Sequence, residues 1–518
     1  MRAVLTLIVL TTLILVAFPP AQAQPQTVLY NFCSQPNCID GENPASALTP
    51  DGAGNLYGTT QLGGAKMYGT VYELSPNGHG GYNETVLYSF CSLHNCTDGS
   101  YPDSYVTFDG HGNLYGTTYY GGLVASGPYS GYGLVFQLSP EPRAGCPSGS
   151  NTGNGWCEII LYNFMSDPDG AFPFSGLIWD ALGNLYGTTY GGGSGTGTVY
   201  ELSPNGKGGW SEQIIYNKGG YAGLTMDGSG NLYGADNDGM GHVFKLSPNG
   251  SGEWNASILH NFTAGRKDGQ IPQGTPVLDN AGNIFGTTFE GGARRGMGTV
   301  WKLTAAPSGE YTEEILTSFI WTSGSNPKGG VVLDSSGNIY STTAYGIHKS
   351  PCYDGCGTVF ELVNTGSDYQ WTMVWSFNGT DGGDAIDTLL LDGGNLYGTT
   401  YLGGKSSNCP GAEGCGVVFA LNPAARVTTT VLTSSPNPSQ LGEAVTFTAV
   451  VTPVPPDGET VTFKKSSQVL GTSPLSGGTA VFTTSTLPVG APHIKAVYGG
   501  NKIFQGSTSN GVKQVVQR

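Results

Sequence analysis

The sequence predicts an all-β protein, a seven-bladed β-propeller followed by an immunoglobulin-like β-sandwich. Three observations carry that expectation. The segment GNLYGTT stands at 54–60, 112–118, 183–189 and 394–400, and it returns in altered form at 230–236, 282–288 and 337–343, seven copies in all. Glycine is abundant (84 residues) and only 11% of residues are charged, the composition of a chain built from turns and short strands. After Asn422-Pro423 the texture shifts to alternating β-branched and polar residues with turns every eight to twelve positions.

At the start of the chain, Arg2 precedes an apolar stretch at 4–18, and Ala21-Gln22-Ala23 forms an A-x-A cleavage site. This reads as a signal peptide over 1–23, because the stretch is shorter than the ~20 residues that span a bilayer. No Cys follows Ala23 to take a lipid, and no later run is long enough to cross a membrane. A secreted or cell-surface protein is expected, with no membrane insertion after cleavage. Ten cysteines fall as close neighbours, Cys33/Cys38, Cys91/Cys96, Cys146/Cys157, Cys352/Cys356 and Cys409/Cys415, which suits five local disulfides in an oxidising compartment. Structural zinc on cysteine is the weaker reading, since no C-x-x-C occurs and His does not cluster with Cys.

One repeat, 46–90, shows the plan. ASALTPD is a short strand, and Asp-Gly-Ala-Gly-Asn a tight turn whose Asp and Asn bond their own backbone. NLYGTT, GTVYEL and ETVLYSF are three further strands, separated by a Gly-rich loop and a Ser-Pro-Asn-Gly turn. The structural turn recurs as Asp51/Asn55, Asp109/Asn113, Asp180/Asn184, Asp227/Asn231, Asp279/Asn283, Asp334/Asn338 and Asp392/Asn395. Four strands per repeat, seven times, is the signature of a propeller over 24–424. QTVLYNF at 26–32 matches a fourth strand without a preceding repeat, and the last repeat stops at its third strand, GVVFAL, so the first strand is expected to complete the last blade. The glycine of GNLYGTT is expected to allow close packing between stacked blades, and the paired threonines suit a buried strand.

The pattern D-x-x-G-N-L-Y-G-T-T, then G-G, then G-T-V-Y-E-L resembles the GloVer tandem repeat of exported bacterial proteins, over about 27–423. That resemblance implies export, varied surface anchoring and repeat architecture, and no known activity. A fainter likeness is to NHL-type propellers. Residues 427–518 resemble the bacterial Ig-like repeats of surface proteins, departing where an acidic residue after Tyr-x-Gly is here Asn501. Such domains are often spacers.

Propeller geometry puts the repeated turns on one face and the variable loops on the other, where binding usually resides. On the variable face Asp40, Asp98, Asp169, Asp268 and Asp381 each follow a fourth strand, and together they suggest an acidic rim for Ca²⁺ or sugar hydroxyls; the bland reading is an Asp-Gly turn. Tyr119, Tyr190 and Tyr401 end second strands, beside Tyr120, Phe289 and Tyr345, and suit saccharide stacking or packing under the loops. Asp236-Asn237-Asp238-Gly239 hints at calcium but lacks the late Glu of an EF-hand. Arg294 and Arg295 form a lone basic pair, and His94 and His348 are lone loop histidines.

No cofactor is required by any motif, and calcium is the one metal the sequence suggests. The net charge of −16, without a basic stripe, argues against nucleic acid. G-x-S-x-G, H-E-x-x-H and P-loop motifs are absent, so no catalytic residue is assigned. The expected function is binding of extracellular glycan or a surface protein by a monomer. The alternatives are a purely structural module and a carbohydrate-active hydrolase or lyase, which needs only two suitably spaced carboxylates.

Overall fold

Each repeat folds as the sequence pattern dictates, into an antiparallel meander whose strands are too short and too glycine-bounded to do anything else. The computed structural model describes residues 26–518 apart from 79–80, 141–154, 264–267, 294–295, 348–351, 412, 424–427, 453–454, 456–457 and 501–503. Residues 1–23, Cys146, Arg294, Arg295, His348 and Asn501 therefore lie outside the described residues. No described helix is long and apolar enough to cross a membrane. The first repeat runs Thr49–Pro50, Leu56–Leu62, Thr70–Pro76, Tyr82–Ser89, and the same four-strand order recurs in each later repeat. Gln26–Asn31 pairs antiparallel with Val417–Leu421 of the seventh repeat and supplies its fourth strand.

A β-bulge recurs between the third and fourth strands of all seven sheets, as at Val71/Tyr72 against Val86/Tyr88. The fourth strands carry consecutive apolar residues, as in Val86-Leu87-Tyr88, where strict alternation would alternate faces. The extra residue twists the strand and reconciles that run with a sheet buried on both faces.

The core lies between neighbouring sheets. Tyr57 and Val71 of the first repeat pack with Leu114, Phe136 and Leu138 of the second, and the same arrangement joins each repeat to its successor. Val418 of the seventh repeat packs with Leu56, Tyr72 and Leu74 of the first. The first threonine of the repeated motif bonds a backbone carbonyl of the next repeat, Thr59 to Ser104, Thr117 to Ser175, Thr188 to Ala222, Thr287 to Gly329, Thr342 to Asp387, and Thr399 to Ser46 of the first repeat. Only the fourth repeat, with Ala235, lacks this hydroxyl. The second threonine bonds across its own sheet, Thr60 to Thr70 at 2.8 Å and Thr288 to Thr299 at 2.8 Å.

The motif glycine has a different role from the one expected. Gly116 lies directly across from Phe136 in the register, and an added Cβ would sit 2.6 Å from that ring. Gly58, Gly187, Gly234, Gly286 and Gly398 face Tyr72, Tyr200, Phe244, Trp301 and Phe419 in the same way. The glycine therefore serves the aromatic of its own sheet rather than the approach of a neighbouring one.

Beyond the repeats, Thr429–Ser435, Val445–Thr452 and Thr479–Thr484 form one sheet, and Gln468–Pro474, Thr460–Lys465, His493–Gly500 and Gln505–Thr508 another. Alternate residues Val445, Phe447, Ala449 and Val451 face Val461, Phe463, Ile494, Ala496 and Tyr498 in a shared core. This is an Ig-like sandwich, as the alternation predicts.

Candidate binding site

The repeated turns are structural, with the carboxylate at their centre. Asp51 Oδ1 accepts the N–H groups of Ala53 (2.8 Å) and Asn55 (3.1 Å), while Oδ2 accepts Asn55 Nδ2 (2.7 Å). The pairs Asp109/Asn113, Asp180/Asn184, Asp227/Asn231, Asp279/Asn283 and Asp334/Asn338 repeat that pattern. The asparagines depart from expectation in one respect. In Asn55, Asn113, Asn184, Asn231, Asn283 and Asn338 the side-chain amide donates to the turn Asp and not to the residue's own backbone. A charged acceptor four residues away makes the stronger bond. The amide oxygens of Asn283 and Asn338 accept the N–H groups of Ala305 and Asn364, so these two also tie the turn to the third strand. Partial burial opposes ionisation at Asp51, Asp109 and Asp227, but the hydrogen bonds outweigh it and hold the carboxyls below their ordinary value. The seventh turn is one residue shorter. Asp392 pairs directly with Asn395 around Gly393 and Gly394, both at positive φ, as a two-residue type I′ hairpin demands.

Three of the five rim carboxylates are closed off from solvent. Asp40 and Asp98 have no solvent exposure, and Asp268 has 8%. Asp40 accepts Ser34 N, Gln35 N and Tyr30 Oη; Asp98 accepts Ser92 N, Leu93 N and Tyr88 Oη. Asp169 accepts Met165 N and Gly170 N, Asp268 accepts Thr263 N and Gly269 N, and Asp381 accepts Asn378 N and Nδ2. Each carboxylate thus staples its own loop, and the glycine after it packs on a motif threonine, as Gly41 does on Thr60. For Asp40 and Asp98 this corrects the expectation of a ligand-facing rim: a buried carboxylate that meets two backbone N–H groups and a phenol has few lone pairs left for a ligand.

The expected disulfides Cys33–Cys38, Cys91–Cys96, Cys352–Cys356 and Cys409–Cys415 are formed in the variable loops. Cys157 is buried on the strand Trp156–Asn163 and is disulfide-bonded as well; its expected partner, Cys146, lies outside the described residues. The Asp236–Asp238 segment is not gathered for calcium. Asp236 stands where other repeats have the second threonine, and it meets His242 Nδ1 at 2.7 Å, at a position that is a threonine in four other repeats. Asp238 is paired with Lys218 Nζ at 2.6 Å.

What converges is a different set. One cavity of about 870 Å³ is lined by residues from all seven repeats. Six positions before each structural turn Asp stand Ala45, Asp103, Phe174, Tyr221, Gln273, Lys328 and Ile386, seven different residues, and all of them line this cavity. The backbone that presents them is strained in a repeated way. Two residues earlier, Asn43, Tyr101, Phe172, Ile271, Asn326 and Asp384 have φ of 55–58°, a region costly for side chains and an outlier for β-branched Ile271. Each donates its N–H to the preceding repeat, for example Tyr101 N to Tyr68 O and Ile271 N to Met240 O, which holds the strain in place.

The cavity is polar at one end and apolar toward the other, where Leu48, Leu224, Val331 and Leu389 line it. At the polar end Tyr401 Oη donates to Gln61 Oε1 (2.6 Å), and Gln61 Nε2 donates to Asp103 Oδ1 (2.8 Å). Burial lifts Asp103 to about 7. Asp387 is lifted to about 8 by burial and then by the charge of Asp103, and its Oδ2 is buried without a hydrogen-bond partner. Burial likewise lifts Asp384 to about 6, opposed by Lys328, whose Nζ lies 3.9 Å from its Oδ1.

Of the expected aromatics, Tyr401 lines the cavity, and Tyr190 stacks at 4.6 Å on Tyr221, which also lines it. Tyr119 stands one step back, edge-on to cavity-lining Phe174 at 6.2 Å. Asp103, Gln61, Lys328 and Asp387 were not found from the sequence, although one signal was there: a position that differs in every repeat, one step after a proline in five of the seven. Exposed large apolar residues Met67, Leu123, Tyr129, Met165, Met240 and Tyr353 sit in loops on the same face.

Comparison with known proteins places these observations. The chain matches the Gloeobacter/Verrucomicrobia repeat over residues 14–146 and 272–449, and the bacterial Ig-like domain (group 3) over 432–517. No curated protein matches it. Among solved structures, the extracellular domain of BT4673 from B. thetaiotaomicron is 11% identical over 91% of this chain and 68% of its own, with a TM-score of 0.27. A structural genomics protein of unknown function from Bacteroides thetaiotaomicron is 12% identical over 72% of this chain and 89% of its own, with a TM-score of 0.34. Scores this low carry no inference about function. The repeat match covers more than half of the chain, which therefore belongs to the Gloeobacter/Verrucomicrobia repeat family and ends in a bacterial Ig-like domain.

Proposed function

We propose that the repeat region closes as a seven-bladed propeller and binds an extracellular glycan at the polar end of its central cavity, with the Ig-like domain as spacer. The observation that carries this reading is the position that differs in all seven repeats while its flanks repeat, with all seven side chains turned to one cavity. The links from each repeat to the next, and from the seventh to the first, support closure. Phe174, Tyr221 and Tyr401 offer ring faces, and Asp103, Gln61 and Gln273 offer hydroxyl-binding groups, the combination a saccharide needs. The disulfides fit an oxidising, extracellular setting.

Binding of the intact chain to a polysaccharide array tests the reading, repeated with Tyr221→Ala and Asp103→Asn. Retention of a glycan that both substitutions weaken supports it. No retained glycan, or a glycan indifferent to both, overturns it in favour of a protein-binding or structural module. A second reading has one observation in its favour: Asp103 and Asp387 share the cavity and interact electrostatically, as a pair of hydrolytic carboxyls would. Release of reducing ends from a retained glycan, lost in Asp387→Asn, would establish hydrolysis; a retained glycan left intact would exclude it for that glycan.

A further inference from the structure

We propose that His260, Asp268 and Glu313 bind a divalent transition-metal ion, with Zn²⁺ the best fit, fastening the fourth repeat to the fifth. The site is away from the cavity and independent of glycan binding. His260 lies on the strand Trp254–Asn261, Asp268 in the loop that follows, and Glu313 on the strand Tyr311–Ser318 of the next repeat. Three other junctions place a tyrosine here: Tyr30 with Asp40 and Glu84, Tyr88 with Asp98 and Glu158, Tyr162 with Asp169 and Glu212. In the second of these the phenol oxygen is 3.0 Å from one oxygen of each carboxyl, within hydrogen-bonding distance of both.

At the fourth junction the imidazole opens that geometry. His260 Nε2 lies 3.4 Å from Asp268 Oδ1 and 3.6 Å from Glu313 Oε1. These separations are long for hydrogen bonds and close to the edge of a tetrahedron with metal–ligand bonds of about 2.0–2.1 Å, roughly 3.3–3.4 Å. All three donor atoms fall within 4.8 Å of one another. Glu313 Oε1, buried like the Oε1 atoms of Glu84, Glu158 and Glu212 at the tyrosine junctions, here lies beside a ring nitrogen able to ligate a metal and close to the Asp268 carboxyl.

Two carboxylates and a neutral imidazole offset a 2+ charge, and a nitrogen donor beside only two carboxylates suits Zn²⁺ better than Ca²⁺, which takes six to eight oxygens. Side-chain exposures of 19%, 11% and 15% leave a route for the ion. The corresponding loops of the first two junctions are closed by Cys33–Cys38 and Cys91–Cys96, whereas the loop from Phe262 to Asp268 contains no cysteine. A metal would do there what a disulfide does elsewhere.

The test is Zn²⁺ uptake by the intact, chelator-stripped protein in competition with a chromophoric chelator, compared with His260→Tyr. That substitution restores the side chain of three other junctions, so folding is retained while the nitrogen ligand is removed. The expected result is a single site present in the parent and lost in His260→Tyr, an affinity lowered about tenfold or more by Glu313→Gln, and a rise in thermal midpoint with Zn²⁺ in the parent alone. No uptake by the parent, or equal uptake by parent and His260→Tyr, would overturn the assignment.

Discussion

Replacing Asp387 with Asn should stabilise the protein, and by an amount that depends on pH. In the folded chain burial and Asp103 lift the Asp387 carboxyl to about 8, while in the unfolded chain it returns to the ordinary aspartate value. Between those two pH values the folded state holds a proton that the unfolded state releases. Folding stability therefore falls as pH rises through this window and levels off above about 8. At about 1.4 kcal/mol for each pH step above the unfolded value, the cost at pH 7 reaches about 4 kcal/mol. Asparagine has nearly the same shape and no proton to hold. The assay is thermal or urea denaturation of parent and Asp387→Asn near pH 4, pH 7 and pH 9. The two proteins should be nearly alike near pH 4, where the acid is neutral when folded and only about half ionised when unfolded, and the variant should gain progressively above it. A gap that is the same at every pH, or a variant less stable at pH 7, would refute the reasoning.

The same sign governs the carboxyls between sheets: burial lifts Glu84 to about 8, Glu212 to about 7 and Glu158 well above its ordinary value, so the whole chain should be more stable in mild acid than at pH 9. Tyr88 has one hydroxyl proton for two carboxyl neighbours, so one of them must supply the second; Glu158→Gln, whose amide can donate instead, should flatten the pH dependence of the thermal midpoint. Gly116→Ala should destabilise by about 1–3 kcal/mol in denaturant unfolding, because the new methyl meets Phe136. Ala235→Thr restores the hydroxyl that six other repeats use to reach the next, and should add about 1 kcal/mol by the same measurement.

The strands, their number and the Asp–Asn turns were legible because each is written within a few residues: a glycine-bounded alternating run, or a carboxylate two and four residues from the N–H groups it accepts. The pairing of Gln26–Asn31 with the last repeat was legible because an unmatched fourth strand and a missing one were both in view. The direction of a loop side chain was not. Asp98 reads as a surface carboxylate until Tyr88, Ser92 and Leu93 are seen to surround it, and the bulge that turns Tyr88 inward has no local mark beyond two adjacent apolar residues. Asp103, Gln61 and Tyr401 come from three different repeats, and only the packing of sheets brings them within hydrogen-bond distance. The short seventh turn was in plain sight as Asp392-Gly-Gly-Asn395, yet it follows a different hairpin rule from its six counterparts.

The left-handed residues ahead of the cavity, from Asn43 to Asp384, have a consequence for how this scaffold can change. In six of the seven repeats they fix the backbone before the lining residue without using its side chain, so its identity is not needed to set that turn. Each of the seven lining positions belongs to a separate repeat, tens of residues from the next. A lineage can therefore alter the lining one position at a time while the turn that presents it stays as it is. If the cavity binds as proposed, its lining is a seven-character address, rewritten by single-codon steps on a frame that does not have to be rediscovered each time.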